Sequence, residues 1–263
     1  MNGASSVFHA INRNKESYAA DLKTPEGIEE IKALIKRADV VMHNFRPKVM
    51  KRLGLDYETV RSIKKDIIYA EISGYGNEGP WQDKPGQDLL LQAISGICML
   101  SGNKAMAPVP MGISLIDIVT GAHLCQAILA CLLRKTTTGE GALIQVSMLE
   151  SACDLQFESI TTFLNDGNEL PERTSSNNAN AYLGAPYGIY KTSDGYLAVA
   201  MASITEIARL TACGRLLEYP DPASWYTLRE EIKIILQAHL EAASTEHWLS
   251  LLEPADIWCA PVL

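Results

Sequence analysis

The chain has 263 residues, 47% of them apolar, and its 31 acidic against 23 basic side chains give a net charge of −8. That apolar share excludes a disordered chain, and the acidic balance argues against a general nucleic-acid binder. No uninterrupted apolar run reaches the roughly 18 residues that span a bilayer, and no basic-then-apolar leader opens the sequence. The expectation is a globular cytoplasmic protein of one large or two modest domains, with neither a membrane nor a nucleic acid as partner.

In chain order, Thr24 as N-cap and Pro25 at the first helical position open a helix whose face Ile28, Ile31, Leu34 and Ile35 runs to Ala38. A short strand over 39–43 ends at Asn44-Phe45-Arg46-Pro47. A helix from Pro47 to Leu53 stops at Gly54, another starts at the Asp56 cap and runs to Lys65, and residues 66–73 form the next strand. A Gly/Pro-rich loop over 74–86 precedes a helix over 88–100, and Ser114 caps a long apolar helix to Lys135. A strand over 142–147 feeds a helix over 149–164. Residues 187–191 and 196–201 flank the turn Thr192-Ser193-Asp194-Gly195 as a hairpin, and helices fill most of 204–252. Alternating strands and helices predict an α/β fold with a parallel sheet. The expected domains are a large α/β domain over 1–165, a polar linker over 166–183 and a smaller α+β domain over 184–263.

Charge is uneven. Residues 1–65 hold 13 Lys/Arg and 8 Asp/Glu, whereas the rest of the chain is strongly acidic. A basic segment on an acidic body fits an anionic small ligand held locally, and equally fits two lysine-rich helices with solvated faces. The six cysteines form no C-x-x-C pair and the five histidines no ligand spacing, so no metal site is expected and the cysteines read as small core residues of a reduced compartment. The run Gly74-Tyr75-Gly76-Asn77-Glu78-Gly79 matches G-x-G-x-x-G after a strand. Pro80, Pro85 and Gly86 keep it in a loop, however, where a dinucleotide fingerprint must open a helix. Asp117 and Glu150 each follow a serine by three residues, Ser114 and Ser147. Each fits a capping box, or else a carboxylate kept ionised at a helix start to act as nucleophile or base. A serine hydrolase is not expected, because Ser147 lacks G-x-S-x-G and a histidine partner.

An ordered set of landmarks covers nearly the whole chain. It comprises Asn12-Arg13-Asn14-Lys15, Asp21-Leu22-Lys23, Thr24-Pro25-Glu26-Gly27, Asn44-Phe45-Arg46-Pro47, Gly74-Tyr75-Gly76 with Gly79-Pro80, and Pro85-Gly86-Gln87-Asp88. It continues with Asp117 and Thr120-Gly121, Gly139-Glu140-Gly141, Val146-Ser147-Met148-Leu149-Glu150 and Asp194-Gly195-Tyr196. In this the chain resembles the class III CoA-transferase family of CaiB/BaiF type, which includes formyl-CoA transferase, carnitine CoA-transferase and alpha-methylacyl-CoA racemase. The resemblance implies a Rossmann-like parallel sheet with flanking helices plus a smaller α+β domain. It also implies coenzyme A and acyl-CoA as substrates rather than a permanently bound cofactor, and a small carboxylic acid as acceptor.

For the site, the resemblance puts Glu150 where transferases carry a nucleophilic aspartate that forms a mixed anhydride and then an enzyme-bound CoA thioester. Gln87 and Asp88 would position the acyl group, and the loop with Gly74 and Gly76 would steady the thioester oxyanion. Asp21 to Lys23 with Asn44 and Phe45 would line the adenine and ribose, Arg52 would face phosphate, and Arg13, Lys15 and Arg46 are further cationic candidates. The racemase branch of the family has a His-Asp pair where Gln87-Asp88 stands, an aspartate at Asp117 and a glutamate near Ser203. Lacking the histidine, the chain fits that alternative less well. A non-catalytic CoA-binding piece is the third reading. Family members also begin with a strand–helix–strand unit before Asn12 and continue past Val262. The expectation is therefore a truncated chain, poorly stable or inactive alone, of an enzyme that is an interlocked homodimer at full length.

Overall fold

The structure is a computed structural model that describes residues 5–263. The chain divides into two compact units, the first holding residues up to Asp83 with Ala122–Val146, the second Lys84–Gly121 with Ser147–Leu263. The cut by packing thus assigns residues 84–121 and 147–165 to the unit that holds 184–263.

In the first unit the helices are α1 (Ser6–Ile11), α2 (Pro25–Ile35), α3 (Pro47–Leu53), α4 (Tyr57–Ile63) and most of α6 (Leu115–Thr138), around strands β1 (Val40–His43), β2 (Ile68–Ser73) and β3 (Ala142–Ser147). Local chemistry sets their ends. The Thr24 hydroxyl accepts from Gly27 N at 3.1 Å with Pro25 in the first turn, Gly54 takes the left-handed φ of 64° that stops α3, and Asp56 accepts from Thr59 N at 3.3 Å. The sheet order is β1-β2-β3, with β1 and β2 parallel and Val40 opposite Ile68.

The two-residue period of β2 explains why the strand is buried on both faces. Ile67 and Tyr69 join Ile35, Met50, Leu55 and Val60 from the helices on one side, whereas Ile68 and Ala70 join Leu124 and Ile144 on the other. Leu124, Ala127, Ile128, Cys131 and Leu132 of α6 repeat at three and four residues and lie on that second face. Two glycines permit close passage of backbone. A Cβ on Gly141 would lie 2.2 Å from the Ile67 carbonyl oxygen, and one on Gly27 2.1 Å from that of Asp21. Because the obstacle in each case is main chain, Gly141→Ala is expected to destabilise by about 3 kcal/mol or more. An unchanged urea midpoint would show instead that the start of β3 can shift.

The second unit holds α5 (Asp88–Ile94), α7 (Met148–Leu155), α8 (Phe157–Asn165), α9 (Ile204–Leu210), α10 (Arg229–Leu240) and α11 (Thr245–Leu252). With them is an antiparallel sheet β4 (Gly188–Lys191), β5 (Tyr196–Val199), β6 (Cys259–Pro261). Tyr190, Leu197, Ile207, Leu216, Ile232, Leu236 and Trp248 fill its core. Residues 166–183 contain no helix or strand but are pinned. Arg173 donates to the Ser101 and Met106 carbonyls at 2.6 and 2.8 Å, and Thr174 is fully buried.

Several expectations need correction. The helix expected over 88–100 breaks at Gly96, whose φ is 83°, and resumes only as a 3-10 turn at Ile97–Met99. The single helix over 149–164 is two, divided at Gln156, whose side chain donates to the Ala152 and Ser95 carbonyls. Only Cys98 and Cys213 are buried, while Cys125 and Cys153 are exposed. The count of uninterrupted apolar residues also understated α6. Despite its polar residues the 24-residue helix is long and apolar enough, by length and composition, to cross a membrane, and little of it is buried.

Candidate active site

Helix α7 follows β3 directly, and Ser147 at the junction accepts from Glu150 N at 3.1 Å. The backbone half of the capping box is thus formed, and the Glu150 side chain reaches solvent in the first turn, where helix dipoles favour a carboxylate. Helix α7 packs against α5, whose first residue is Asp88.

The structure gives Asp88 a role the sequence did not. Its buried carboxylate accepts from Ile116 N at 2.7 Å, Asp117 N at 3.1 Å and Gln92 Nε2 at 2.6 Å. Asp88 therefore supplies a side-chain cap to the start of α6, where the sequence pointed to Ser114. Gln92 extends the cluster through its Oε1, which accepts from Met111 N at 2.8 Å. Gln87 caps its own helix by accepting from Leu89 N at 3.2 Å. Partial desolvation and then the Asp88 charge raise the Asp117 carboxyl above the usual aspartate range. Asp88→Ala is expected to cost about 2–3 kcal/mol, since it removes a cap and leaves buried donors without an acceptor. It should also bring the Asp117 titration, followed by carboxyl NMR, back down.

The candidate nucleotide-binding residues lie in the first unit. Arg13, Lys15, Lys23, Asn44, Phe45, Arg46 and Arg52 are all exposed. Lys15 Nζ donates to the Ile11 carbonyl, Lys23 N to Asp21 Oδ1, and Phe45 N to His43 Nδ1 at 3.3 Å. Gly76 has a φ of 86° and donates its N–H to Ser73 Oγ at 3.0 Å, and no helix forms between β2 and Asp88. The loop geometry thus agrees with setting the dinucleotide fingerprint aside.

Sequence reasoning missed a polar cluster at the carboxyl ends of β1 and β2. His43 Nε2 lies 3.0 Å from Tyr69 Oη and 3.4 Å from Glu71 Oε2, and Glu71 Oε1 accepts from Gln145 Nε2 at 2.7 Å and from Asn77 Nδ2. The His43 bond, with those from Gln145 and Asn77, holds the Glu71 carboxyl below the usual range against desolvation. Burial pushes the Tyr69 hydroxyl well above its usual range. The signal available in the sequence was the period of two in β2, which puts Tyr69 and Glu71 on one face.

The whole chain, residues 1–263, matches the family model for CoA-transferase family III. An acyl-CoA transferase of Fusarium pseudograminearum (strain CS3096) is 33% identical across 98% of this chain and 57% of its own length. Mouse succinyl-CoA:glutarate CoA-transferase is 31% identical across 100% and 61%. The crystal structure of a CAIB/BAIF family protein from Brucella suis superposes with a TM-score of 0.82 at 29% identity, covering 99% of this chain and 69% of that one. The chain belongs to CoA-transferase family III. It spans 57% and 61% of the length of those first two relatives.

Proposed function

We propose that this chain carries acyl-CoA-binding and acyl-transferring elements of a CoA-transferase that moves CoA from an acyl-CoA donor to a carboxylic acid. The observation that carries the reading is Glu150, an exposed carboxylate in the first turn of α7, immediately after a sheet strand and within a chain that matches the family throughout. The relatives named for succinyl-CoA with glutarate and for acetyl-CoA with oxalate support carboxylic acids as the acceptor class.

The chemistry balances with one carboxylate. A Glu150 oxygen attacks the donor thioester carbonyl, giving a mixed anhydride and CoA thiolate. The thiolate attacks the Glu150 acyl carbon, releasing the donor carboxylate and leaving a glutamyl-CoA thioester. The acceptor carboxylate attacks that thioester, again expelling CoA thiolate. The thiolate then takes the acceptor acyl group and regenerates Glu150. Gly74 and Gly76 of loop 74–79 are further proposed contacts of the CoA moiety. Arg13, Lys15, Lys23, Arg46 and Arg52 are the proposed partners of the CoA phosphates, with Asn44 and Phe45 at the adenosine.

Incubation with an acyl-CoA, followed by hydroxylamine or borohydride and peptide mass analysis, tests the reading. It expects a hydroxamate or a reduced side chain at Glu150. Solvent deuterium entering the substrate α-carbon with Glu150 unmodified would favour the racemase alternative, and CoA binding with neither result the non-catalytic one.

A further inference from the structure

The geometry points to His43 and Glu71 as positioning residues that lock the two segments leaving parallel strands β1 and β2, residues 44–46 and 74–79, into one rim; the link to CoA rests on the reading above. His43 and Glu71 are direct cross-strand partners, so their side chains leave neighbouring strands at the same level. Each then reaches a different segment. His43 Nδ1 accepts from Phe45 N at 3.3 Å, and its ring stacks on Phe45 with centroids 6.0 Å apart. Glu71 accepts from Asn77 in the glycine loop and from Gln145 on β3.

The hydrogen-bond pattern fixes the roles of the ring nitrogens. Tyr69 Oη donates to the Leu55 carbonyl at 2.8 Å, so its oxygen is left to accept from His43 Nε2. Nε2 then carries the proton, and Nδ1 keeps the lone pair that Phe45 N needs. The chain from Phe45 through His43 and Tyr69 to Leu55 is directional throughout, and it ties an exposed turn to buried Leu55 in the connection between α3 and α4. Carboxyl ends of parallel strands are where α/β sheets receive ligands, and the two segments tied here both hold proposed CoA contacts.

Hydrogen-exchange mass spectrometry on the full chain tests this, with CoA affinity by calorimetry as second readout. His43→Leu and Glu71→Ala are expected to speed amide exchange in 44–46 and 74–79 by about tenfold or more, and to weaken CoA binding by a similar factor. His43→Asn keeps an acceptor for Phe45 N, and Glu71→Gln keeps an oxygen for Asn77 and Gln145, so each should stay within about threefold of the parent in the segment it serves, 44–46 and 74–79 respectively. Asn77→Ala changes only a loop side chain, so it reads the Glu71 link even if the core variants unfold; it should loosen 74–79 alone. Unchanged exchange in 74–79 for Asn77→Ala, or failure of the conservative variants to restore protection, would overturn the inference. Restored protection in a chain that binds no CoA supports the lock and instead overturns the functional reading.

Discussion

Replacing Glu150 by Gln is expected, on the proposed mechanism, to lower CoA transfer by at least about a thousandfold, because an amide oxygen cannot form the anhydride. The same substitution should leave stability within about 0.5 kcal/mol of the parent, because the cap at this helix runs from the backbone N of residue 150 to Ser147 Oγ. Ser147→Ala gives the converse test, with an expected loss of about 1 kcal/mol from the cap. The pair of variants separates two roles that coincide in the sequence. Glu150→Asp keeps a carboxylate one methylene shorter and is expected to retain transfer. Transfer rates with an acyl-CoA donor and a carboxylic acid acceptor, alongside urea melts, check all three, and full activity in Glu150→Gln would remove the residue from the proposed mechanism.

The second large effect belongs to Lys233. It is fully buried on α10, and its Nζ donates to the Asn177 carbonyl at 3.2 Å with Thr174 Oγ1 at 3.5 Å. Burial pushes its pKa down to about 8, Arg229 adds to the fall and Glu230 opposes it. Near pH 9 the unfolded chain still carries the proton, with an ordinary pKa near 10.4, and the folded chain has largely lost it. Stability therefore rises with pH between about 8 and 10.4, and a gap of that width corresponds to about 3 kcal/mol. Tyr69 and Tyr190 are raised above their usual range, so their contribution falls as pH rises past about 10, and the rise is read best below that. Lys233→Met should abolish the rise. At pH 7 its stability should be close to the parent's, since the desolvation it relieves offsets hydrogen bonds that, from a charged donor, are worth about 1.5–3 kcal/mol each. Parallel slopes for parent and variant between pH 8 and 9.5 would overturn this account.

Legibility in the sequence followed the range of the interactions. The starts of α2 and α4 and the stop of α3 could be read because Thr24, Asp56 and Gly54 act within three residues. The parallel pair β1–β2 and the hairpin β4–β5 carried enough β-branched and aromatic residues to be seen. The break at Gly96 was hidden inside an apolar pattern that continues past it. Strand β6, three residues long and ending in Pro261, is set by its pairing with β5 rather than by propensity. At the candidate site Glu150 was legible as a carboxylate at a helix start. The function of Asp88 as a cap for α6 was not, because donor and acceptor are 28 residues apart. His43 and Glu71 stayed invisible for the same reason, as the Tyr69 and Gln145 bonds span 26 and 74 residues.

That remote acceptor has a consequence for α6 itself. Its first turn is not self-sufficient, since Ile116 N and Asp117 N are satisfied only once Asp88 has been brought beside them. A synthetic peptide covering the helix alone should fray at its amino end, with its helicity confined to the later turns. The point at which α6 begins is therefore inscribed in α5, and lengthening the segment between them would blur it without altering one residue of the helix.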